Sequence, residues 1–197
     1  MSATPKIGII LSTTRPNRFA DKAAQWLLKL AKQRVGVEFE LVDLRDYPLP
    51  FFEEVASPLY APPKNEIAQR WARKISELDG FIFVTAEYNH GLPAVLKNAL
   101  DYAYAEYNRK PAAFVGYGGV GGARSVEQLR LVLAELQVAS LRHAVHVGGS
   151  EFIGMFMQGK TFADFPYLDD TVKPMLDDLI WWTNTLKAGR ESTKAAA

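Results

Sequence analysis

Five short apolar runs, each followed by a stretch with apolar residues at helical spacing, constrain this chain more than any other feature of its sequence. Lys6–Leu11 is short and isoleucine-rich, as expected of a strand buried on both faces. Ala20, Ala23, Ala24, Leu27 and Ala31 then form one helical stripe that ends near Gly36. Val37–Leu44 alternates and reads as a second strand. Ile67, Trp71, Ile75 and Leu78 give a second stripe, and Gly80–Ala86 an apolar third strand. Val95, Leu96, Ala99, Leu100 and Ala103 mark a helix before a strand at Ala112–Tyr117. Val126, Leu129, Leu133 and Leu136 mark another before Leu141–Val147. A last helix carries Val172, Met175, Leu176, Leu179, Thr183 and Leu186, and the small, polar tail from Gly189 to Ala197 is predicted to fray. Five strands alternating with five helices imply an α/β fold with a parallel sheet covered on both faces.

The 197 residues contain no repeat and no linker-like stretch, so a single domain spanning 1–197 is expected. A net charge of +1 gives no general pull toward nucleic acid or membrane. The absence of cysteine excludes a disulfide framework, thiol catalysis and Cys-ligated metal. The N-terminus has no basic region leading into a long apolar one, and no window approaches a bilayer span, so a cytoplasmic location is expected.

In an open parallel sheet, ligands bind beyond the carboxyl ends of the strands, where the strand order reverses. The loops after the first, third and fourth strands are therefore the candidates. The first reads Ser12-Thr13-Thr14-Arg15-Pro16-Asn17-Arg18 and offers three hydroxyls, two guanidinium groups and the N–H groups of a helix start. That set suits a phosphate monoester; it also reads as a polar turn capped by Asn17. No glycine lies between Gly8 and Gly36, so this turn cannot approach a pyrophosphate as a first-turn dinucleotide fingerprint does. No Walker A motif is present either.

The second loop, Glu87-Tyr88-Asn89-His90-Gly91-Leu92-Pro93, exposes backbone groups beside an aromatic ring, which suits the edge and face of a planar heterocycle. The third, Tyr117-Gly118-Gly119-Val120-Gly121-Gly122-Ala123-Arg124-Ser125, has a glycine-rich centre stripped of side chains, so a flat ligand can lie against its backbone. Gly116, Gly118 and Gly121 formally match G-x-G-x-x-G, but on the fourth strand instead of the first.

From Lys6 to Val147 the chain resembles the NAD(P)H-dependent FMN reductases, which include quinone, azo-dye and chromate reductases of flavodoxin-like fold. Glu87-Tyr88-Asn89 followed by Gly91, Pro93 and Leu96-Lys97-Asn98-Ala99 carries most of the likeness. The Ser-Thr-Arg-Pro-type loop and the Gly-Gly-x-Gly-Gly segment agree in order and spacing. The resemblance implies a doubly wound five-stranded sheet of order 2-1-3-4-5 with FMN across the first, third and fourth strand ends. It implies that Ser12, Thr13, Arg15 and Arg18 surround the FMN phosphate. Glu87, Tyr88, Asn89 and His90 would border the ribityl chain and ring, with Gly118 and Gly119 at the other edge. Ser12 stands where glycine is common, Thr13 where serine is common, and Ala86 where proline is usual.

The activity implied is hydride transfer from NADPH or NADH to bound FMN and then to a quinone, azo compound, flavin or metal oxyanion. A flavodoxin-like electron carrier and a flavin- or redox-sensing protein without turnover are the alternatives; strongly acidic carriers contrast with the +1 charge here. Because the flavin carries the chemistry, no catalytic side chain is required. Arg18, Arg124 and Lys160 are candidates to read an NADPH 2′-phosphate. His143 and His146 have no carboxylate at metal-ligand spacing, so no metal is expected. Arg45–Lys64 is proline-rich and 148–168 is rich in Phe and Met; both are expected to be loops that form a cofactor rim, a subunit contact or a surface covering. With Trp181 and Trp182 on the last helix, they point to a homodimer or homotetramer.

Overall fold

A computed structural model describes residues 3–195. Five parallel strands, β1 (Lys6–Leu11), β2 (Glu38–Asp43), β3 (Gly80–Ala86), β4 (Pro111–Tyr117) and β5 (Ala139–Val147), form one sheet in the order β2-β1-β3-β4-β5. This is the order expected. The helices are α1 (Ala20–Ala31), α2 (Glu66–Glu77), α3 (Ala94–Asp101), α4 (Ala123–Glu135), α5 (Gly149–Met157) and α6 (Tyr167–Ala195).

Period-2 alternation along the central strands builds two cores. Ile7, Ile9, Ile82, Val84, Ala113 and Val115 pack against α1 and α6. Ile10, Phe81, Phe83, Ala112 and Phe114 pack against α2, α3 and α4. β3 and β4 are buried along their whole length, which is why they read as unbroken apolar runs. Fully burying one such side chain contributes roughly 1.5–3 kcal/mol. Trp71 lies in the second core with its indole N–H donated to the Ala99 carbonyl at 2.8 Å.

Three regions differ from the sequence expectation. The segment 148–168 is not a loop throughout: it holds α5 and a short 3-10 turn at Phe162–Asp164, so the described residues form six α-helices where five were expected. The proline-rich stretch 45–64 is irregular as expected, but it is clamped to α3. The Asn98 side chain accepts from the Phe52 N–H at 2.9 Å and donates to the Pro50 carbonyl at 2.7 Å, and the Tyr102 hydroxyl donates to the Phe51 carbonyl. Finally, α6 continues through Ala195 where fraying was expected from Gly189; Ala196 and Ala197 lie outside the described residues. Lys187 and Arg190 both reach Asp79 at 2.7 Å, and Arg190 also donates to the Arg109 carbonyl, which fixes the last turns to the sheet's opposite end. Among the described residues no helix is long and apolar enough to cross a membrane.

Candidate active site

Strand register brings the three loops together. Leu11 pairs with Val84, Ala86 with Tyr117, and Tyr117 with Val147, so β1, β3, β4 and β5 end in line. Beyond those ends lies a cleft of about 470 Å³. Of the residues singled out in the sequence, Arg15, Arg18, Glu87, Tyr88, Gly118 and Gly119 line it. Ser12 and Thr13 are fully buried, and Asn89 and His90 form the exposed tip of the turn, outside the residues that line the cleft.

The β1–α1 loop supplies the anion-suited end. Ser12 ends the ladder with an N–H donated to Val84, whereas the N–H groups of Thr13, Thr14 and Arg15 donate to no group among the described residues. The helix that follows is not capped by Asn17. Its N-cap is Phe19, with no side-chain bond, and Asn17 instead takes the left-handed turn conformation at φ +51°. The loop therefore combines free N–H donors with the positive end of α1.

The two arginines of this loop have different partners. Arg15 forms no ion pair among the described residues and its guanidinium lies 5.7 Å from the Tyr88 ring centroid. The Arg18 side chain is 1% exposed, bonds Asp21 at 2.6 Å, and donates to Asp43 and to the Thr13 carbonyl. Burial opposes the charge on Arg18, but the two carboxylates hold it more firmly protonated than usual. Arg18 thus reaches the cleft wall with its charge already balanced, and shapes the loop through the Thr13 carbonyl. Sequence spacing could not show this, because Asp43 comes from the end of β2.

The other wall is flat and aromatic. Gly118 has φ +140°, a conformation only glycine adopts readily, and a Cβ at Gly119 would meet nothing within 4 Å. Tyr117, which heads the third loop and had no role assigned from the sequence, stacks with Phe152 at 6.2 Å and shares a 3.2 Å hydrogen bond with the Thr13 hydroxyl. Burial pushes the Tyr117 phenol up to about 12, with the Thr13 bond working against it, so the hydroxyl stays protonated. Phe152 and Phe156 stack nearly parallel along α5 and close the cleft's side, so part of 148–168 forms the rim.

The β3–α3 turn is a two-residue hairpin. Tyr88 and Gly91 exchange backbone hydrogen bonds at 3.0 and 3.1 Å, and the central Asn89 and His90 have φ +48° and +74°. Left-handed backbone costs a non-glycine residue roughly 1–2 kcal/mol, so the turn needs outside support. Arg124 of α4 gives it by pairing with Glu87, which is 7% exposed, at 2.6 Å.

A second hollow of about 340 Å³ lies on the opposite side of Thr14, lined by Leu44, Tyr47, Leu49 and Val95. Its one cation, Arg45, donates to the carbonyls of Thr14 and Arg15 and lies 3.7 Å from the Asp21 carboxylate. No group of three or more metal-ligating side chains occurs among the described residues.

The profile of the family described as NADPH-dependent FMN reductase matches residues 5–151, a span that holds all three loops. The chain belongs to this family. It is 39% identical over 140 residues to an NAD(P)H-dependent FMN reductase of Schizosaccharomyces pombe, covering 70% of each chain. A quinone reductase of Pseudomonas putida aligns over 190 residues at 28% identity, covering 91% of this chain and 93% of that one. Among solved structures, the flavoenzyme NAD(P)H:acceptor oxidoreductase FerB of Paracoccus denitrificans superposes with a TM-score of 0.68 at 23% identity, over 92% of this chain and 98% of that one. Members of the family use FMN and NAD(P)H, and the cleft fits FMN. It has one anion-suited end, no glycine-lined path for a second phosphate there, and open space against Gly119 that a side chain would fill.

Proposed function

We propose that this chain is a cytoplasmic reductase that binds FMN in the cleft, takes hydride from NADPH or NADH, and delivers the electrons to a quinone or similar acceptor such as an azo compound. The observation that carries this reading is the pairing, in one cleft, of an uncommitted Arg15 above three free N–H groups with a glycine-and-aromatic wall. Bound FMN supplies the two-electron chemistry; the protein supplies orientation and electrostatics. Arg15, Thr13 and the free N–H groups hold the phosphate, with Arg18 positioning the Thr13 carbonyl and Ser12 anchoring the loop to β1 and β3. The Glu87–His90 turn and Gly118–Gly119 would border the ring.

Arg18 and Arg124 are both engaged by carboxylates, so neither is a free reader of an NADPH 2′-phosphate. Lys160 lies over the Phe165 ring, 5.5 Å from its centroid. Acid release and chromatography of the chromophore, followed by anaerobic titration with NADPH and then a quinone, test the reading. FMN with bleaching and reoxidation is expected; FAD, no flavin affinity, or no reduction overturns it.

A further inference from the structure

The β3–α3 turn is held from outside by two α4 side chains one helical turn apart. Arg124 spans the turn: Nη2 meets Glu87 Oε1 at 2.6 Å and Nη1 meets His90 Nδ1 at 2.7 Å. Its backbone N–H donates to Glu87 Oε2 at 3.2 Å, and Gln128 donates its amide to the His90 carbonyl at 3.0 Å. A guanidinium has donors only, so His90 Nδ1 must accept and carries no proton. The imidazole is therefore neutral while this contact lasts, with its single proton on Nε2. Nε2 has no hydrogen-bond partner among the described residues.

We propose that Arg124 sets this tautomer so that His90, in the turn whose Glu87 and Tyr88 line the cleft, presents an Nε2–H donor to the carbonyl oxygen of an acceptor such as a quinone. The inference rests on the flavin reading above, because the acceptor must sit against the turn that borders the ring. His90 polarises the carbonyl and is not the proton source. Losing the Nε2 proton would leave an imidazolate, since Arg124 occupies the nitrogen that would have to gain one. In the overall reaction NAD(P)H is oxidised and gives up a hydride equivalent. The quinone gains those two electrons and that hydrogen, takes its second proton from water, and leaves as hydroquinone with NAD(P)+ formed. Negative charge builds on the quinone oxygen as the electrons arrive, so the Nε2–H bond strengthens where it lowers the barrier. Arg124 is a positioning residue in this scheme and His90 the group that touches the acceptor.

Long-range proton–nitrogen NMR of the 15N-labelled protein without flavin tests the tautomer directly. His90 is expected as one species with Nδ1 bare and Nε2 protonated. Arg124→Met is expected to give a mixture of tautomers, and Arg124→Lys, which keeps a donor-only cation, to restore the single species. In the FMN-loaded protein, the ratio of quinone to ferricyanide turnover is expected to fall about tenfold in His90→Phe, the loss of one hydrogen bond in the transition state, and to recover in His90→Gln, whose amide can donate. A proton on Nδ1 in the parent, or an unchanged ratio in His90→Phe, overturns the proposal. Absence of turnover with both acceptors overturns the functional reading instead, and the NMR result then decides the tautomer alone.

Discussion

Arg15 and Arg18 stand three positions apart in one loop, and what separates them is the company each keeps. Among the described residues the Arg15 guanidinium has only the Tyr88 ring beside it, so its charge is available to a ligand. Charge-assisted hydrogen bonds contribute on the order of 1.5–3 kcal/mol each, part of which water recovers in an open loop. Arg15→Ala is therefore expected to weaken FMN binding roughly 10- to 100-fold while the apoprotein stays folded and riboflavin, lacking the phosphate, loses little. Fluorescence titration with both flavins checks it, and equal losses for the two would move the phosphate elsewhere. Arg18 is a different case. Its removal leaves Asp43 and Asp21 without their shared partner; water reaches both carboxylates, 27% and 49% exposed, and recovers part of the cost, so a loss of about 1–3 kcal/mol is expected, read as a lower urea midpoint. Burial pushes Asp43 up, but Arg18 holds its carboxyl below the usual range. A depressed folded value means that the pair's stability is complete above the ordinary carboxylate range, about pH 4, and is lost as pH falls through the folded value. Asp43→Asn is expected to flatten that acid-side slope. The sequence displayed both guanidinium groups but not this division, because Asp43 meets Arg18 only once β2 lies beside β1.

At the scale of elements, what was legible followed from clean periodicity. The strands, α1 and α2 came from runs whose burial is uniform or one-sided, whereas the sheet order came from the family resemblance. α5 was not legible for a physical reason. Phe152, Met155 and Phe156 face the cleft and the α1-side core, while Ile153 and Met157 on the same nine-residue helix are exposed, so no apolar stripe stands out. Gly149 and Gly154 weaken its intrinsic preference further. Tyr117 stood at the head of the third loop without a role, because as the last residue of a strand only the sheet's pleat shows that its ring faces the cleft. The β4–α4 turn gives a test that separates cofactor space from stability. A side chain at Gly119 meets nothing in the protein, so Gly119→Leu is expected to keep the parent's melting temperature within about 2 °C yet bind FMN more weakly by an order of magnitude or more. A variant that binds FMN normally would show that the ring does not lie against this turn.

For the whole molecule, the unfinished surfaces are apolar and lie on opposite faces of the sheet. Trp181 and Trp182 on α6 are 61% and 38% exposed and pack edge-to-face on each other. On the α3 side the 45–64 segment presents Phe51 at 82%, Val55 at 96% and Tyr60 at 81% exposure. That segment is not slack chain, because Asn98 and Tyr102 bond its backbone on both sides of Phe51. Aromatic residues held rigidly in water are the usual material of interface cores, and a two-fold axis would bring each patch against its own copy. Light scattering at micromolar concentration is therefore expected to give at least twice the 22.0 kDa of one chain. A charge introduced into an interface core opposes association, which lets the two patches be separated. If the segment forms the dimer, Phe51→Glu yields a monomer and Trp181→Glu leaves the parent mass unchanged. If α6 forms it, the outcomes exchange. If each patch forms one interface of a tetramer, either variant halves the parent mass and the double variant gives 22.0 kDa. A parent mass of 22.0 kDa would refute association through either face, and would require both aromatic patches to serve a contact with something other than this chain.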